Sequence, residues 1–206
     1  MRYLIASGFL FILLHPVSRA GNEGADFFNG KDLTGWRGLP GLWAVKDEAI
    51  IGDTGPDGIP ANTFLCSEKE YKDFELAFQV KLTGDLTKAN SGVQIRSELL
   101  DKEKFTVKGP QCDMGQVYWG SLYGEQFGGM MQQSDPEVVK KVLKPGEFND
   151  YSIRCVGKRV TIKLNGETTV DAEFEKMPSN GIIAFQAHTG PAMVVVFKSI
   201  RFQELK

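Results

Sequence analysis

The feature that most constrains the fold of this chain is a strict two-residue alternation of apolar and polar side chains. Phe74, Leu76, Phe78, Val80 and Leu82 are separated by Glu75, Ala77, Gln79 and Lys81. Only an extended strand puts every second side chain on one face, so this stretch predicts a β-strand with one buried side. The same period recurs. Val93 and Ile95 alternate with Gln94, Arg96 and Glu98, and Ile153 and Cys155 alternate with Ser152, Arg154 and Val156. Val160, Ile162 and Leu164 run into Asn165-Gly166, a dipeptide suited to a two-residue hairpin turn, and Thr168 to Ala172 reads as the returning strand. Gly181 to His188 and Met193 to Leu205 predict two more strands. Gly, Pro, Asn or Asp punctuate the turns between them. One short helix is expected around Asp135 to Val142, capped by Ser134. Strand after strand with almost no helical period predicts an all-β protein, a β-sandwich of two antiparallel sheets. Lys108 to Gln133, dense in Gly, Tyr, Trp, Met and Gln, breaks the alternation and reads as a long loop of the kind that carries ligand contacts.

The first twenty residues follow another pattern. Arg2 precedes an apolar run from Leu4 to Leu14, Pro16 breaks the run, and Ser18 and Ala20 place small residues before Gly21. This predicts a signal peptide over residues 1–20, with a run too short to span a bilayer. Residues 21–25 form a short polar linker and 26–206 a single domain. The expected product is exported to periplasm or medium, with no stable membrane insertion after cleavage. A formal charge of −2 supplies no basic field for nucleic acid. Cys66, Cys112 and Cys155 are odd in number and match no zinc spacing, so they read as small core residues, with one disulfide as the alternative.

Elimination narrows the chemistry. Of two histidines, His15 falls in the signal peptide and only His188 remains. A two-histidine zinc site within one chain is therefore excluded, and no GxSxG elbow, P-loop or dinucleotide fingerprint is present. Three segments place polar side chains at alternate positions: Gln94, Arg96 and Glu98; Gln111 and Asp113; Gln186 and His188. If these strands are neighbours, one sheet face gathers amides, carboxylates, a guanidinium and an imidazole. Such a face suits a sugar, whose hydroxyls need planar polar partners while Tyr118, Trp119 or Tyr123 from the adjoining stretch covers its apolar ring face. Ordinary retaining glucanase chemistry needs two flanking carboxylates. The nearest segment, Gln111-Cys112-Asp113-Met114-Gly115-Gln116, has non-ionising glutamine at both outer positions. The acidic loop from Asp53 to Asp57 lacks the ligand spacing of a calcium motif.

Several segments also form an ordered series. Phe28-Asn29-Gly30-Lys31-Asp32-Leu33-Thr34-Gly35-Trp36 and Trp43-Ala44-Val45-Lys46-Asp47 open it. Tyr71-Lys72-Asp73-Phe74-Glu75-Leu76, Asn90-Ser91-Gly92-Val93-Gln94-Ile95-Arg96 and Gly146-Glu147-Phe148-Asn149-Asp150-Tyr151 follow. Leu164-Asn165-Gly166, Gly181-Ile182-Ile183-Ala184-Phe185-Gln186-Ala187-His188 and Val196-Phe197-Lys198-Ser199-Ile200-Arg201 complete it. The series resembles the 3-keto-disaccharide hydrolase domain family. It departs from that family's pattern at Gly109-Pro110-Gln111 and at Gly124.

The resemblance implies a concanavalin A-like β-sandwich, or jelly roll, that acts on glycosides oxidised to a ketone at sugar carbon 3. A ketone there acidifies the hydrogen on carbon 2, so a base can remove it and the enolate can expel the group on carbon 1. That route needs a general base, an enolate stabiliser and an acid. The residues expected to serve are His188 or Asp113 as base, Arg96 beside the enolate oxygen, and Glu98 as acid or as the group that orients Arg96. Gln94, Gln111, Tyr118, Trp119, Tyr123 and Gln186 are expected to bind the substrate. The cofactor is left open: Asp113, Glu98 and His188 are types that could hold a divalent cation. The competing expectations are a non-catalytic carbohydrate-binding module and an interaction domain of the cell envelope.

Overall fold

The computed structural model of the chain describes residues 27–206; the expected signal peptide and linker lie outside the described residues. In chain order the strands are β1 (Trp36–Arg37), β2 (Trp43–Lys46), β3 (Ala49–Asp53), β4 (Thr63–Tyr71), β5 (Phe74–Gly84), β6 (Asn90–Asp101), β7 (Thr106–Gly115), β8 (Leu122–Glu125), β9 (Gly129–Gln132), β10 (Asn149–Val156), β11 (Arg159–Leu164), β12 (Glu167–Glu173), β13 (Gly181–Ala187) and β14 (Met193–Glu204). One helix, α1 (Pro136–Val142), lies between β9 and β10. The strands form two seven-stranded antiparallel sheets. The front sheet runs β1-β4-β13-β6-β7-β8-β9 and the back sheet β12-β11-β10-β5-β14-β3-β2. The all-β sandwich expected from the alternation is therefore the architecture that forms. No helix among the described residues is long and apolar enough to cross a membrane.

The alternation places the core between the sheets. Phe74, Leu76, Phe78, Val80 and Leu82 of β5 all face inward, as do Val160, Ile162 and Leu164 of β11. The front sheet answers with Leu65, Val93, Cys112, Met114, Ile183 and Phe185. Phe185 meets Phe197 across the interlayer at a ring-centroid distance of 4.5 Å. Full burial of such side chains contributes about 1.5–3 kcal/mol each, so the alternation is itself the main driving force for the sandwich. Asn165 and Gly166 take left-handed backbone angles in the β11–β12 turn, as the dipeptide predicts.

Three details differ from expectation. Lys108 to Gln133 is mostly sheet and supplies most of β7, all of β8 and all of β9. Its alternation was hidden because β8 and β9 are only four residues each and glycines interrupt them. Asp135, not Ser134, caps α1, accepting a hydrogen bond from the Glu137 N–H at 2.8 Å. Ser134 is buried and its hydroxyl donates instead to the Trp119 carbonyl at 2.8 Å. The third is a bulge in β6. Pairing slips between Gln94 and Glu98 against β7, and Arg96 sits at φ 45°. Ile95 and Arg96 consequently both turn inward, and the Arg96 side chain fills one end of the sandwich.

The three cysteines are buried free thiols, so the disulfide alternative is not realised. Burial pushes Cys66 up to about 12 and Cys155 up to about 11, and holds Cys112 well above the usual thiol range. Such thiols are protonated and shielded at neutral pH. The folded protein is expected to resist an exposed-thiol reagent and to release three equivalents on denaturation; rapid native labelling would contradict this burial.

Candidate active site

The outer face of the front sheet carries a cleft of about 310 Å³. Its floor comes from alternate positions of neighbouring strands. Gln111 and Asp113 point outward from β7, between inward Cys112 and Met114. Gln94 of β6 pairs with Gln111, and Gly92 pairs with Asp113. Gly92 is required here: a Cβ would stand 2.6 Å from the Gln111 side chain, which lies across it. Gln186 of β13 and His188 just beyond it line one side, and Tyr123 of β8, opposite Gln111, lines the other. Tyr118 stands at the rim.

An outward sheet face is normally wet, yet Gln94, Gln111, Asp113 and Gln186 are all at most 5% exposed. The connection from β6 to β7 explains part of this. It folds back over the face, with the Phe64 N–H donating to the Phe105 carbonyl and the Thr63 hydroxyl to the Lys104 carbonyl. Leu99 and Phe105 thereby cover Phe64, Cys66, Val107, Ile182 and Ala184 as a small second core.

The buried polar groups satisfy one another in a directed chain, as buried groups must. The Ser97 hydroxyl donates to Gln94 Oε1 at 2.6 Å, and Gln94 Nε2 donates to Gln111 Oε1 at 2.8 Å. Gln111 Nε2 donates to Asp113 Oδ1 at 2.5 Å and, more weakly, to Gln186 Oε1 at 3.3 Å. Each link fixes the orientation of the next amide. From the back sheet, the Tyr151 hydroxyl donates to the Asp113 carbonyl at 3.1 Å. Burial pushes the Asp113 carboxyl up to about 7; the Gln111 amide opposes this and the negative charge of Glu125 adds to it.

His188 is pinned differently. Its Nδ1 lies 2.6 Å from the Thr189 carbonyl, which can only accept, so Nδ1 carries a proton and, in the neutral imidazole, the lone pair is on Nε2. Thr189 is itself held, its N–H donating to Asn62 Oδ1 at 2.9 Å and its hydroxyl to the Ile59 carbonyl at 3.1 Å.

The cleft thus brings together six expected residues: His188, Asp113, Gln111, Tyr118, Tyr123 and Gln186. Four others lie elsewhere. Gln94 is behind the cleft and acts on it only through Gln111. Arg96 is turned inside by the bulge, 2.7 Å from Asp73 Oδ1, and cannot reach a ligand on the outer face. Glu98 lies beyond the register slip, exposed and opposite Lys108. Trp119 packs in the main core. Asn62, Asn90 and Glu125 also line the cleft and were not anticipated. Period two extended backward from Gln94 reaches Asn90, and extended forward from Tyr123 reaches Glu125. Asn62 carries no comparable signal. With Glu98 away, the suggested cation donors Asp113, Glu98 and His188 do not assemble, and no group of three His, Cys, Asp or Glu among the described residues could hold a metal ion. The Asp53 carboxylate closes its own turn by accepting from the Gly55 N–H at 2.8 Å.

Comparison with known proteins adds an independent result. The profile of the 3-keto-alpha-glucoside-1,2-lyase-like domain matches residues 24–203. No curated protein gives a significant match. Among solved structures, a provisionally named glycosyl hydrolase from Parabacteroides distasonis is 24% identical, with 87% of this chain and 93% of that chain covered at a TM-score of 0.62. The carbohydrate-binding module CBM66 from Bacillus subtilis is 17% identical over 82% of this chain and 96% of its own, at a TM-score of 0.59. A Bacillus subtilis protein of unknown function with a galectin-like fold is 9% identical over 84% and 90%, at a TM-score of 0.58. At these identities the likeness establishes the shared sandwich.

Proposed function

The chain belongs to the 3-keto-alpha-glucoside-1,2-lyase-like domain family, a carbohydrate-related family, and on that footing we propose that it is exported and cleaves glycosides bearing a ketone at sugar carbon 3. The observation that carries this reading is a matched base and acid in one cleft. His188 offers the Nε2 lone pair, and Asp113, raised to about 7, retains a proton close to neutral pH.

His188 Nε2 takes the proton from carbon 2 of the keto sugar. The electrons of that bond form the enolate, and the negative charge settles on the carbon 3 oxygen. Gln186 accepts from Gln111 through Oε1, which leaves its NH2 group to donate toward that oxygen. As the enolate collapses, the bond from carbon 1 to the leaving oxygen breaks and Asp113 supplies that oxygen with a proton. The products are an alcohol and a sugar with a double bond between carbons 1 and 2, conjugated to the ketone. Water then adds, hydroxyl to carbon 1 and proton to carbon 2, which returns the 3-keto sugar. No carboxylate nucleophile is needed. Glu125 pairs with Gly109, four residues along β7 from Asp113, so the two carboxylates spring from different levels of the sheet.

The test is release of alcohol and sugar from 3-keto-glycosides alongside their unoxidised parents. Cleavage of the keto forms alone supports the proposal. Binding without cleavage would make the cleft a carbohydrate-binding site. Two further results are expected. His188→Ala should lower kcat by about 10²–10⁴-fold. Turnover of the wild-type protein should also fall as pH rises through about 7, where Asp113 loses the proton it must donate; a rate that stays flat to pH 9 would remove Asp113 from the acid role.

A further inference from the structure

We propose that the cleft selects its glycosides by charge, admitting neutral and amine-bearing sugars and refusing uronates, sulfates and phosphates, with Glu125 as the selecting residue. This rests on reading the cleft as a glycoside site. Two carboxylates line it, Asp113 and Glu125, and no lysine or arginine among the described residues does. The remaining lining groups are neutral amides, phenols and one imidazole. Anionic sugars are ordinarily held by guanidinium or ammonium groups, and the one arginine expected on this face, Arg96, is sealed inside the sandwich.

Glu125 differs from Asp113 in kind. Asp113 is deep, hydrogen-bonded by Gln111 and close to losing its charge at neutral pH. Glu125 is half-buried at the far end of the cleft, and its side chain makes no hydrogen bond or ion pair with another described residue. Its charge nevertheless reaches Asp113 through the cleft and raises it. A second anion brought into the same space would meet that field, and an ammonium group would be drawn to it. Low-dielectric walls strengthen both effects relative to bulk water. Tyr123, two residues before Glu125 on the same strand face, offers a ring against which a sugar can rest while its substituents project toward Glu125.

The test uses three ligands that differ only at carbon 6 of a methyl 3-keto-glucoside: hydroxymethyl, carboxylate and aminomethyl. Each is titrated by NMR into the His188→Ala protein, which keeps both carboxylates and lacks the base, and into His188→Ala with Glu125→Gln added. The carboxylate ligand should bind at least tenfold more weakly than the hydroxymethyl ligand, and the gap should shrink to threefold or less with Glu125→Gln. The aminomethyl ligand should bind at least as tightly as the hydroxymethyl one, with an advantage that fades at high salt. Equal or tighter binding of the carboxylate, or a gap that Glu125→Gln leaves intact, overturns charge selection alone. Failure of all three to bind a folded protein overturns the glycoside reading together with this inference.

Discussion

Arg96→Leu is expected to cost the domain about 3–5 kcal/mol, enough to consume much of an ordinary folding free energy. The side chain is 1% exposed and ties together three parts of the chain that are distant in sequence. Its guanidinium donates to the carbonyls of Lys72, Cys155, Gly157 and Pro178 and pairs with Asp73. Asp73 in turn accepts from the Gly157 N–H at 3.0 Å. Removing the guanidinium leaves a carboxylate and four carbonyls without their donor, and a buried acceptor stranded in this way costs more than the bond itself contributed. Arg96→Lys should fare little better, since one ammonium cannot span a fork that serves five acceptors. Urea midpoints of both variants measure the effect. A contact between Arg96 and the substrate enolate predicts the reverse pattern, a lysine variant of near-normal midpoint with a much reduced kcat.

Asp113→Asn should abolish turnover and, above neutral pH, stabilise the fold. The activity loss follows from the missing acid, about 10²–10⁴-fold. The stability gain follows from linkage. The carboxyl has an ordinary value of 3.8 when unfolded and is raised to about 7 when folded. Between those values the native state holds a proton that the unfolded state has released, so stability falls as pH rises from about 4 to about 7. Above pH 7 the native protein must keep a buried carboxylate charged, at a cost of about 2–4 kcal/mol. Asparagine carries no such charge and still accepts from Gln111. Melting curves should therefore coincide near pH 4 and separate by about 5–10 °C at pH 8, with the variant the more stable. A variant melting below the wild type at pH 8 would show that burial does not strain this carboxyl.

The sandwich was legible because its core strands alternate cleanly, β5 most of all, and because Asn165-Gly166 names its own turn. The cleft was legible in part, for the same reason: Gln111, Asp113 and Gln186 sit at the alternate positions that point away from the core. What failed was the assumption that alternation continues. One residue in left-handed conformation at Arg96 reverses the face of everything after it, so Arg96 goes to the interior and Glu98 leaves the site. A bulge of this kind depends on pairing with strands far away in sequence, and local pattern does not encode it. Trp119 failed differently. An aromatic in a glycine-rich stretch suits a sugar platform and a core equally, and only the packing of β7 to β9 decides between them. Asn90 and Glu125 were within reach of the same period-two rule, had it been carried two steps back from Gln94 and one step on from Tyr123.

In β7, Gln111, Cys112, Asp113 and Met114 answer alternately to two different demands. The odd positions face the cleft and the even ones the interior. Specificity can therefore drift, or be redesigned, along one set of positions while the other conserves foldability. A library confined to residues 118, 123 and 125, which line the cleft outside the buried amide chain, would explore new ligands at little cost in thermal tolerance. Gln94 and Gln111 are the exception: each fixes the other's amide, so they must be exchanged as a pair or not at all.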